Sequence, residues 1–188
     1  MALLKIYIYP DPILRQRVTP VVNFDQSLKD LSRDMIETLY DAPGVGLAAN
    51  QVGVLQDIFV LDVDYSIEGD EETGRKYLNQ NPRIFINAKL MSTSEEIFFK
   101  EGCLSVPGFS AEVKRWKKAE LQYQDLFGKQ QTLLAEGLLS VAIQHELDHL
   151  QGRLYIDRLS EVKRSIIKNK MKKEQHQKFE KSRFHVEL

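Results

Sequence analysis

The sequence predicts an α+β fold in which short, mostly antiparallel strands pack around a central helix, with a second helix near the C-terminal end. Two observations support this prediction. Short apolar or alternating segments, separated by turn residues, occupy the middle of the chain, which is typical of antiparallel strands. From Gly137 onward, apolar residues recur at helical spacing instead. Strands followed by helices in this way favour an α+β arrangement over a doubly wound parallel sheet.

A length of 188 residues fits one domain that is large enough to bury a hydrophobic core. The chain is 43% hydrophobic and 28% charged, with a formal net charge of −1. This composition argues against a disordered chain and against a DNA-binding protein driven by overall charge. No apolar run approaches the roughly 18 residues of a membrane span, and the N-terminal residues lack the pattern of a signal peptide. We therefore expect a cytoplasmic protein with no membrane or DNA partner.

A helix and a buried strand are predicted in the first third of the chain. Residues 23–25 offer caps for the helix, and Pro43-Gly44 ends it. The run Ile58–Leu61 is apolar throughout, as expected of a buried strand. The apolar residues of the helix recur at helical spacing, at Leu28, Leu31, Met35 and Leu39.

The middle of the chain is predicted to contain a polar surface loop and then several strands. Residues 62–81 are acidic and polar, which indicates the loop. Turns are predicted at Pro107-Gly108 and Phe127-Gly128. The predicted strands lie near residues 83–87, 95–100, 111–116, 119–124 and 130–134.

Two helices are predicted in the last third. The first ends near Gly152, a plausible C-cap, and the second begins after Asp157. Leu159, Val162 and Ile166 are the expected docking stripe of the second helix. Residues 158–188 hold ten Lys and Arg against four Asp and Glu, so a basic tail follows an acidic body. One face of the first helix carries Leu138, Val141, Ala142, His145 and His149.

The first of these helices contains the motif His145-Glu146-Leu147-Asp148-His149. Residues i and i+4 lie on one face of a helix, so both imidazoles can bind one cation. Glu146 lies one step round the helix, near enough to contact a water bound to that cation. The alternative is a helix with two exposed histidines and a solvated Glu-Asp pair. It is less favoured, because Leu138 and Val141 share the histidine face, which therefore points inward.

Two imidazoles do not complete a catalytic metal site, which typically has three protein ligands and a water. Downstream, position 155 holds Tyr where one group of metallopeptidases has His, and Glu161 and Glu174 lie in the basic tail. Upstream, the single cysteine, Cys103, lies between a glycine and a turn, and its thiolate would complete a Cys-His-His set. A lone cysteine is more often a buried apolar residue, so spacing alone leaves these alternatives open.

Three segments together resemble the signature motifs of the peptide deformylases, in their order and approximate spacing. The resemblance covers about residues 10–159. It departs from the family at Asn50, where proline is more frequent, and in a polar insert near residues 65–80 that is longer than typical. The segments are Gly44-Val45-Gly46-Leu47-Ala48-Ala49-Asn50-Gln51, Glu101-Gly102-Cys103-Leu104-Ser105 and His145-Glu146-Leu147-Asp148-His149.

The resemblance implies a metal-dependent hydrolase that removes the formyl group from the N-terminal formylmethionine of newly made polypeptides. Cys103, His145 and His149 would hold one divalent metal, with Fe(II) favoured, although thiolate and imidazole ligands also suit Zn, Ni or Co. Glu146 would accept a proton from the metal-bound water and pass it to the leaving amine. The backbone N–H of Leu104 and the side-chain amide of Gln51 would stabilise the oxyanion.

The resemblance also predicts substrate contacts. Leu138 and Val141, and more weakly Val45, are candidates for the pocket that holds the methionine side chain. The bare backbone at Gly46 could pair with the substrate peptide as a strand would. The alternative is ordinary core packing for Leu138, Val141 and Val45, and plain turn geometry for Gly46.

Other charged residues in or near the motifs are predicted to have structural roles. An ion pair between Glu101 and Arg115 would hold the cysteine loop in place. For Asp148, a role behind the metal ligands and a solvated position on the helix stay open.

At the level of the whole chain, the resemblance implies a single deformylase-like catalytic domain spanning residues 1–188, with a basic C-terminal helix at about 159–183. That helix could contact the ribosome, or it could simply be solvated. Two other functions remain as alternatives. One is a peptidase with Glu161 or Glu174 as its third metal ligand. The other is a structural metal module, which would need a fourth ligand, whereas His176 and His185 lie in the tail.

Overall fold

The computed structural model describes the backbone of residues 2–69 and 74–184, and the side chains of the same residues up to 173. The described residues form three α-helices, α1 (Gln26–Asp41), α2 (Leu138–Leu150) and α3 (Glu161–Phe184). Seven strands lie in the described ranges: β1 (Gly46–Ala48), β2 (Ile58–Leu61), β3 (Ser66–Glu68), β4 (Lys76–Leu78), β5 (Arg83–Gly102), β6 (Ser110–Gln124) and β7 (Gln130–Glu136). The α+β prediction, with a C-terminal helix, is confirmed.

Helix α1 forms where the capping and apolar patterns predict it. The Asp25 carboxylate accepts hydrogen bonds from the backbone N–H groups of Ser27 and Leu28, at 3.0 and 3.2 Å. These bonds satisfy two of the N–H groups that a helix start leaves without partners. Met35 and Leu39 are fully buried on the face that packs against the sheet.

The main sheet has five antiparallel strands in the order β1-β2-β5-β6-β7. Every side chain of β2 is buried, as the apolar run predicts. Strand β1 pairs with β2 in the register Gly46↔Leu61 and forms one edge of the sheet. This edge is where the glycine-rich motif meets helix α2.

Four of the predicted strands are in fact two. Residues 83–102 form the single strand β5 and residues 110–124 the single strand β6, paired as far as Gly102↔Ser110. Two polar residues at the ends of the predicted strands lie at irregularities within the continuous strand β5. Asn87 and Glu95 have positive φ angles of 51° and 61°, and the register shifts just after Ile86. Such bulges bend a strand without ending it.

The polar segment of residues 62–81 is more ordered than the predicted loop. Strands β3 and β4 form a small antiparallel pair within it. The buried Asp62 anchors the segment by accepting hydrogen bonds from the Tyr40 hydroxyl at 2.6 Å and the Asn81 N–H at 2.7 Å. Within the predicted surface loop, residues 66–68 and 76–78 therefore form strands, and residues 70–73 are not described.

Helix α2 packs against β1, β6 and β7, with ten of its thirteen residues buried. Its cap residue is Gln151, and Gly152 follows with a φ of +71°. A Cβ at Gly152 would lie 2.4 Å from the Arg15 carbonyl oxygen, so this position needs glycine for both conformation and space.

Helix α3 docks through a different stripe from the predicted one. Ile167 and Met171 are buried, whereas Val162 and Ile166 are 70% and 51% exposed. Leu159 does pack against the core, as predicted, but it lies before the helix, in an extended conformation. Because Leu159 is not helical, the spacing of three to four residues cannot be counted from it, and the buried face of α3 differs from the predicted one. No helix in the described part of the chain is long and apolar enough to cross a membrane.

Candidate metal centre

Three possible metal donors converge at the carboxyl-terminal half of α2. The Cys103 Sγ lies 3.2 Å from His149 Nε2, which lies 3.2 Å from His145 Nε2. All three atoms lie within 4.8 Å of one another. Strand β5 delivers Cys103 to this point, because its last residue, Gly102, pairs with the start of β6 beside the helix.

The donor set fits a tetrahedrally bound metal. With metal–sulfur and metal–nitrogen bonds of about 2.3 and 2.0 Å, neighbouring donors of a tetrahedron lie roughly 3.3–3.6 Å apart. The two observed separations of 3.2 Å are close to these values. On the far side of its ring, His145 Nδ1 lies 2.7 Å from Glu101 Oε2, which directs Nε2 toward the centre. His149 Nδ1 is buried and has no hydrogen-bond partner in the described part of the chain.

The two imidazoles differ in their affinity for a proton. Burial opposes the charged form of His145, but hydrogen bonds to Cys103 and Glu101 outweigh it and raise the pKa well above its ordinary value. Burial, and then the neighbouring His145, lower the pKa of His149 well below its ordinary value.

The carboxyl group of Glu146 lies beside the three donors. Its side chain is buried, and Oε2 has no hydrogen-bond partner among the residues described. Burial raises the pKa of Glu146 to about 7, from an ordinary value of 4.5. A carboxyl group of this kind can take up and release a proton near neutral pH.

Gln51 reaches the same site from the short 3-10 helix Ala49–Val52 that follows β1. Its Oε1 accepts the Ala48 N–H at 2.8 Å, which leaves Nε2 pointing toward Cys103 Sγ at 3.7 Å. Nε2 also donates to Ser105 Oγ at 3.0 Å. Ser105 is thus a neighbour of the site that the sequence analysis did not assign, although it lies in the second motif.

A cavity of about 560 Å³ opens onto these groups. The predicted catalytic residues Gln51, Leu104 and Glu146 line it, together with Cys103 and His145. The four predicted substrate contacts line it as well. They are Val45, Gly46, Leu138 and Val141, of which Val141 is buried and Val45 and Leu138 are 43% and 39% exposed.

Comparison with known proteins identifies the family. The polypeptide deformylase family model matches residues 3–165. The chain belongs to this family. A peptide deformylase of Syntrophobacter fumaroxidans is 47% identical over 173 residues, covering 92% of this chain and 96% of the relative. A peptide deformylase of Rhizobium meliloti is 46% identical over 168 residues, covering 89% and 91%. A crystal structure of a peptide deformylase from Legionella pneumophila superposes with a TM-score of 0.82 at 40% identity, covering 94% and 98%.

Polypeptide deformylases are metal-dependent hydrolases that remove the formyl group from the N-terminus of newly made polypeptides. The enzyme class and the reaction predicted from the three motifs are therefore confirmed.

A buried network of ion pairs contacts the first of the two histidines of this deformylase. The Arg115 guanidinium donates to both Glu101 oxygens, at 2.6 and 2.9 Å, and to Asp148 at 2.7 Å. The predicted ion pair between Glu101 and Arg115 is present, and Glu101 additionally contacts His145. Since removal of one partner from a buried ion pair is costly, this network holds the first histidine in one orientation.

Asp148 is not a solvated helix residue. It is 4% exposed, and Arg158 donates to both its oxygens at 2.6 Å, in addition to the bond from Arg115. Burial opposes ionisation of Asp148, but these two arginines outweigh it and lower the pKa. The position of Arg158, in the turn between α2 and α3, is set by tertiary contacts that no sequence pattern reveals.

Asn50, one of the departures from the family pattern, also has a role here. Its Nδ2 donates to the backbone carbonyl of His149 at 2.5 Å. The same carbonyl accepts the Gly152 N–H at 2.8 Å, so the Asn50 bond is an additional one, and it ties the first motif to the third.

The downstream carboxylates do not approach the donors where they are described. Glu161 is exposed in the first turn of α3 and does not belong to the donor cluster. The side chains of Glu174 and His176, and all of His185, lie outside the described residues.

Proposed function

We propose that this chain deformylates the N-terminal formylmethionine of nascent polypeptides with Cys103, His145 and His149 as its metal ligands. The observation that supports this assignment is the convergence of one thiol and two imidazoles beside a buried carboxyl group. A downstream glutamate ligand has no comparable support, because Glu161 is exposed at the start of α3.

We further propose Fe(II) as the metal in the cell. The thiolate and imidazole donors suit Fe, Zn, Co and Ni, so the family resemblance makes this choice. When bound, such a metal lowers the pKa of a water ligand toward neutrality and thereby supplies a nucleophile. Metal analysis of protein purified without oxygen would test the identity of the ion, and a stoichiometric content of zinc instead of iron would contradict it.

Glu146 is proposed to move the proton. It would accept a proton as water adds to the formyl carbon and return it to the amine nitrogen as the carbon–nitrogen bond breaks, leaving formate and the free N-terminus. The raised pKa supports both steps, since a carboxyl group that titrates near pH 7 is neither too weak a base nor too weak an acid.

Gln51 and Leu104 are proposed to stabilise the negative charge that develops on the formyl oxygen. Both line the cavity beside Cys103, and the Gln51 Nε2 lies within 4 Å of its sulfur. Donors aimed at a developing oxyanion can each be worth about 3 kcal/mol in the transition state. The hydrogen bond from Gln51 to Ser105 would support the orientation of the amide.

The methionine side chain is proposed to lie against Leu138, Val141 and Val45, the apolar part of the cavity wall. Gly46 would then contact the peptide backbone. It lies on the edge strand of the sheet, where an extended peptide can add main-chain hydrogen bonds.

Three wider assignments complete the proposal. Residues 1–188 form a single deformylase-like catalytic domain with a basic C-terminal helix at about 159–183, and the protein acts in the cytoplasm. The basic helix contacts the ribosome, where formylated chains emerge.

Because Ile167 and Met171 dock α3 on the core, charge reversal at the exposed Lys170, Lys172 and Lys173 tests this contact better than truncation would. Salt-sensitive co-sedimentation with ribosomes should weaken, and equal pelleting of variant and parent would contradict the contact.

The decisive experiment compares three substrates. Formyl-Met-Ala-Ser should be hydrolysed, whereas acetyl-Met-Ala-Ser and a peptide with only internal bonds should be left intact. Cleavage of the internal bonds at a similar rate would contradict the deformylase assignment and favour a peptidase.

A further inference from the structure

A second cavity adjoins the one at the metal centre. The second cavity has a volume of about 370 Å³ and shares Lys100 and Ser110 with the first. Ala111 and Glu112 of β6 extend its wall on one side, and α3 closes it on the other. The two cavities therefore lie next to each other at the start of β6, one at the metal donors and the other at the C-terminal helix.

The α3 side of this second cavity is apolar. Ile166 and Ile167 both line it, the first 51% exposed and the second buried in the core. Ile166 is therefore an exposed apolar side chain on a helix where half of the other exposed residues described are lysines. Val162, one turn earlier, is also exposed but does not line either cavity.

Two lysines flank the apolar floor. Lys100 comes from β5 and Lys163 from α3, and neither forms an ion pair within the described residues. Glu112 lies opposite Lys100 in the strand ladder and is the single acidic residue of the lining. The cavity thus offers an apolar surface with an excess of positive charge.

We propose that this second cavity is a subsite for the downstream part of the substrate, the residues that follow the first three. An apolar side chain packs on Ile166, and an acidic side chain next to it pairs with Lys163. The proposal rests on the proposed function, because the formylated end must lie at the metal centre for the chain to leave past Ser110. An extended peptide advances about 3.3–3.6 Å per residue, so each residue after the methionine carries the chain further along β6 toward α3.

The test measures kcat/KM for formyl-Met-Ala-Ser and for the same peptide extended by Leu-Glu-Leu, Leu-Lys-Leu or Gly-Ser-Gly. We expect the Leu-Glu-Leu extension to raise kcat/KM about threefold to tenfold, mainly through KM, the scale of a partly buried apolar contact plus a screened charge pair. The Leu-Lys-Leu peptide should gain less, and the Gly-Ser-Gly peptide should gain almost nothing.

Matched variants locate the effect. Ile166→Ser and Lys163→Glu should remove the gain from Leu-Glu-Leu while hydrolysis of the tripeptide stays at the parent rate. Val162→Ser and Lys170→Glu make the same chemical changes on the same helix away from the cavity, and should leave the gain intact. Equal rates for all extensions, or a gain that survives Ile166→Ser and Lys163→Glu, would overturn the proposal.

A binding measurement separates this inference from the function on which it rests. A labelled product peptide, Met-Ala-Ser-Leu-Glu-Leu, should bind more tightly than Met-Ala-Ser by fluorescence anisotropy, and Ile166→Ser should abolish the difference. If the tripeptide is not deformylated at all, the proposed function fails, whatever this measurement gives. If the tripeptide is deformylated but the two peptides bind equally, only the subsite fails.

Discussion

Gly46 and Glu146 lie so close together that any side chain at position 46 would force a neighbour to move. A Cβ added to Gly46 would lie 2.3 Å from Glu146 Oε1 and 2.6 Å from the Leu61 side chain. The backbone of the edge strand β1 at Gly46 therefore packs directly against the buried carboxyl group of Glu146. This explains the glycine of the first motif by packing against the third motif, independently of any contact with substrate.

Gly46→Ala should consequently damage both stability and activity. Displacing Glu146 or Leu61 should lower the free energy of unfolding by about 1–3 kcal/mol, the usual cost of overpacking, and reduce turnover as well. Denaturant unfolding and formyl-peptide assays would measure the two effects. The double variant Gly46→Ala with Glu146→Asp should recover part of the stability, because the shorter carboxylate retreats. Additive losses in the double variant would show that the two residues are not coupled.

Glu146→Gln should separate metal binding from catalysis. The three proposed ligands remain, so metal content measured after dialysis should equal that of the parent. Turnover should fall by several orders of magnitude because an amide cannot accept the proton. A variant that loses its metal along with its activity would instead identify Glu146 as a ligand.

Gln51→Ala should lower kcat far more than it raises KM. The proposed hydrogen bond strengthens only as charge develops on the formyl oxygen, so its loss is felt in the transition state. Steady-state kinetics with formyl-Met-Ala-Ser would show this. Ser105→Ala, which removes the partner of Gln51 Nε2 but not the amide, should have a smaller effect in the same direction. A change confined to KM would remove Gln51 from this role.

Cys103→Ser should reduce metal affinity and activity together, since a hydroxyl ionises poorly and is a weak ligand. The cobalt-substituted parent should show a sulfur-to-metal charge-transfer band in the near ultraviolet that the variant lacks. Glu161→Gln serves as the control and should change neither property. Normal metal binding and parental deformylation by the serine variant would contradict the cysteine ligand and revive the downstream glutamate.

Asp57 should make stability depend on pH in a defined direction. Burial raises its pKa to about 6 from an ordinary value of 3.8, and its Oδ1 has no hydrogen-bond partner in the described residues. The folded state therefore binds this proton more tightly than the unfolded state. As pH rises from about 4 to 6, the contribution of Asp57 to the free energy of unfolding falls.

Asp57→Asn removes this titration and tests the sign. Relative to the parent, the variant should gain stability between pH 4.5 and pH 7, by about 1 kcal/mol once screening of the partly exposed group is allowed for. Denaturant unfolding at the two pH values would measure the difference. A stability difference that is constant with pH, or that falls as pH rises, would contradict the raised pKa.

Much of the site was predictable because its signals are local. The i, i+4 spacing of His145 and His149 places both imidazoles on one helix face whatever the rest of the chain does, and Asp25 caps α1 through its own neighbours. The pairing of Cys103 with these histidines came from the resemblance of three motifs, since no local period links residues so far apart.

The sequence by itself determined the fold class, the position of α1, β2 and α2, and the residues that could bind a metal. Only the tertiary structure decided that β5 and β6 each run continuously, that Asp148 is buried between Arg115 and Arg158, and that α3 docks through Ile167 and Met171. The physical reason is that propensity and periodicity act over a few neighbouring residues. Strand pairing, ion-pair burial and helix docking depend on groups that meet only after the chain has folded.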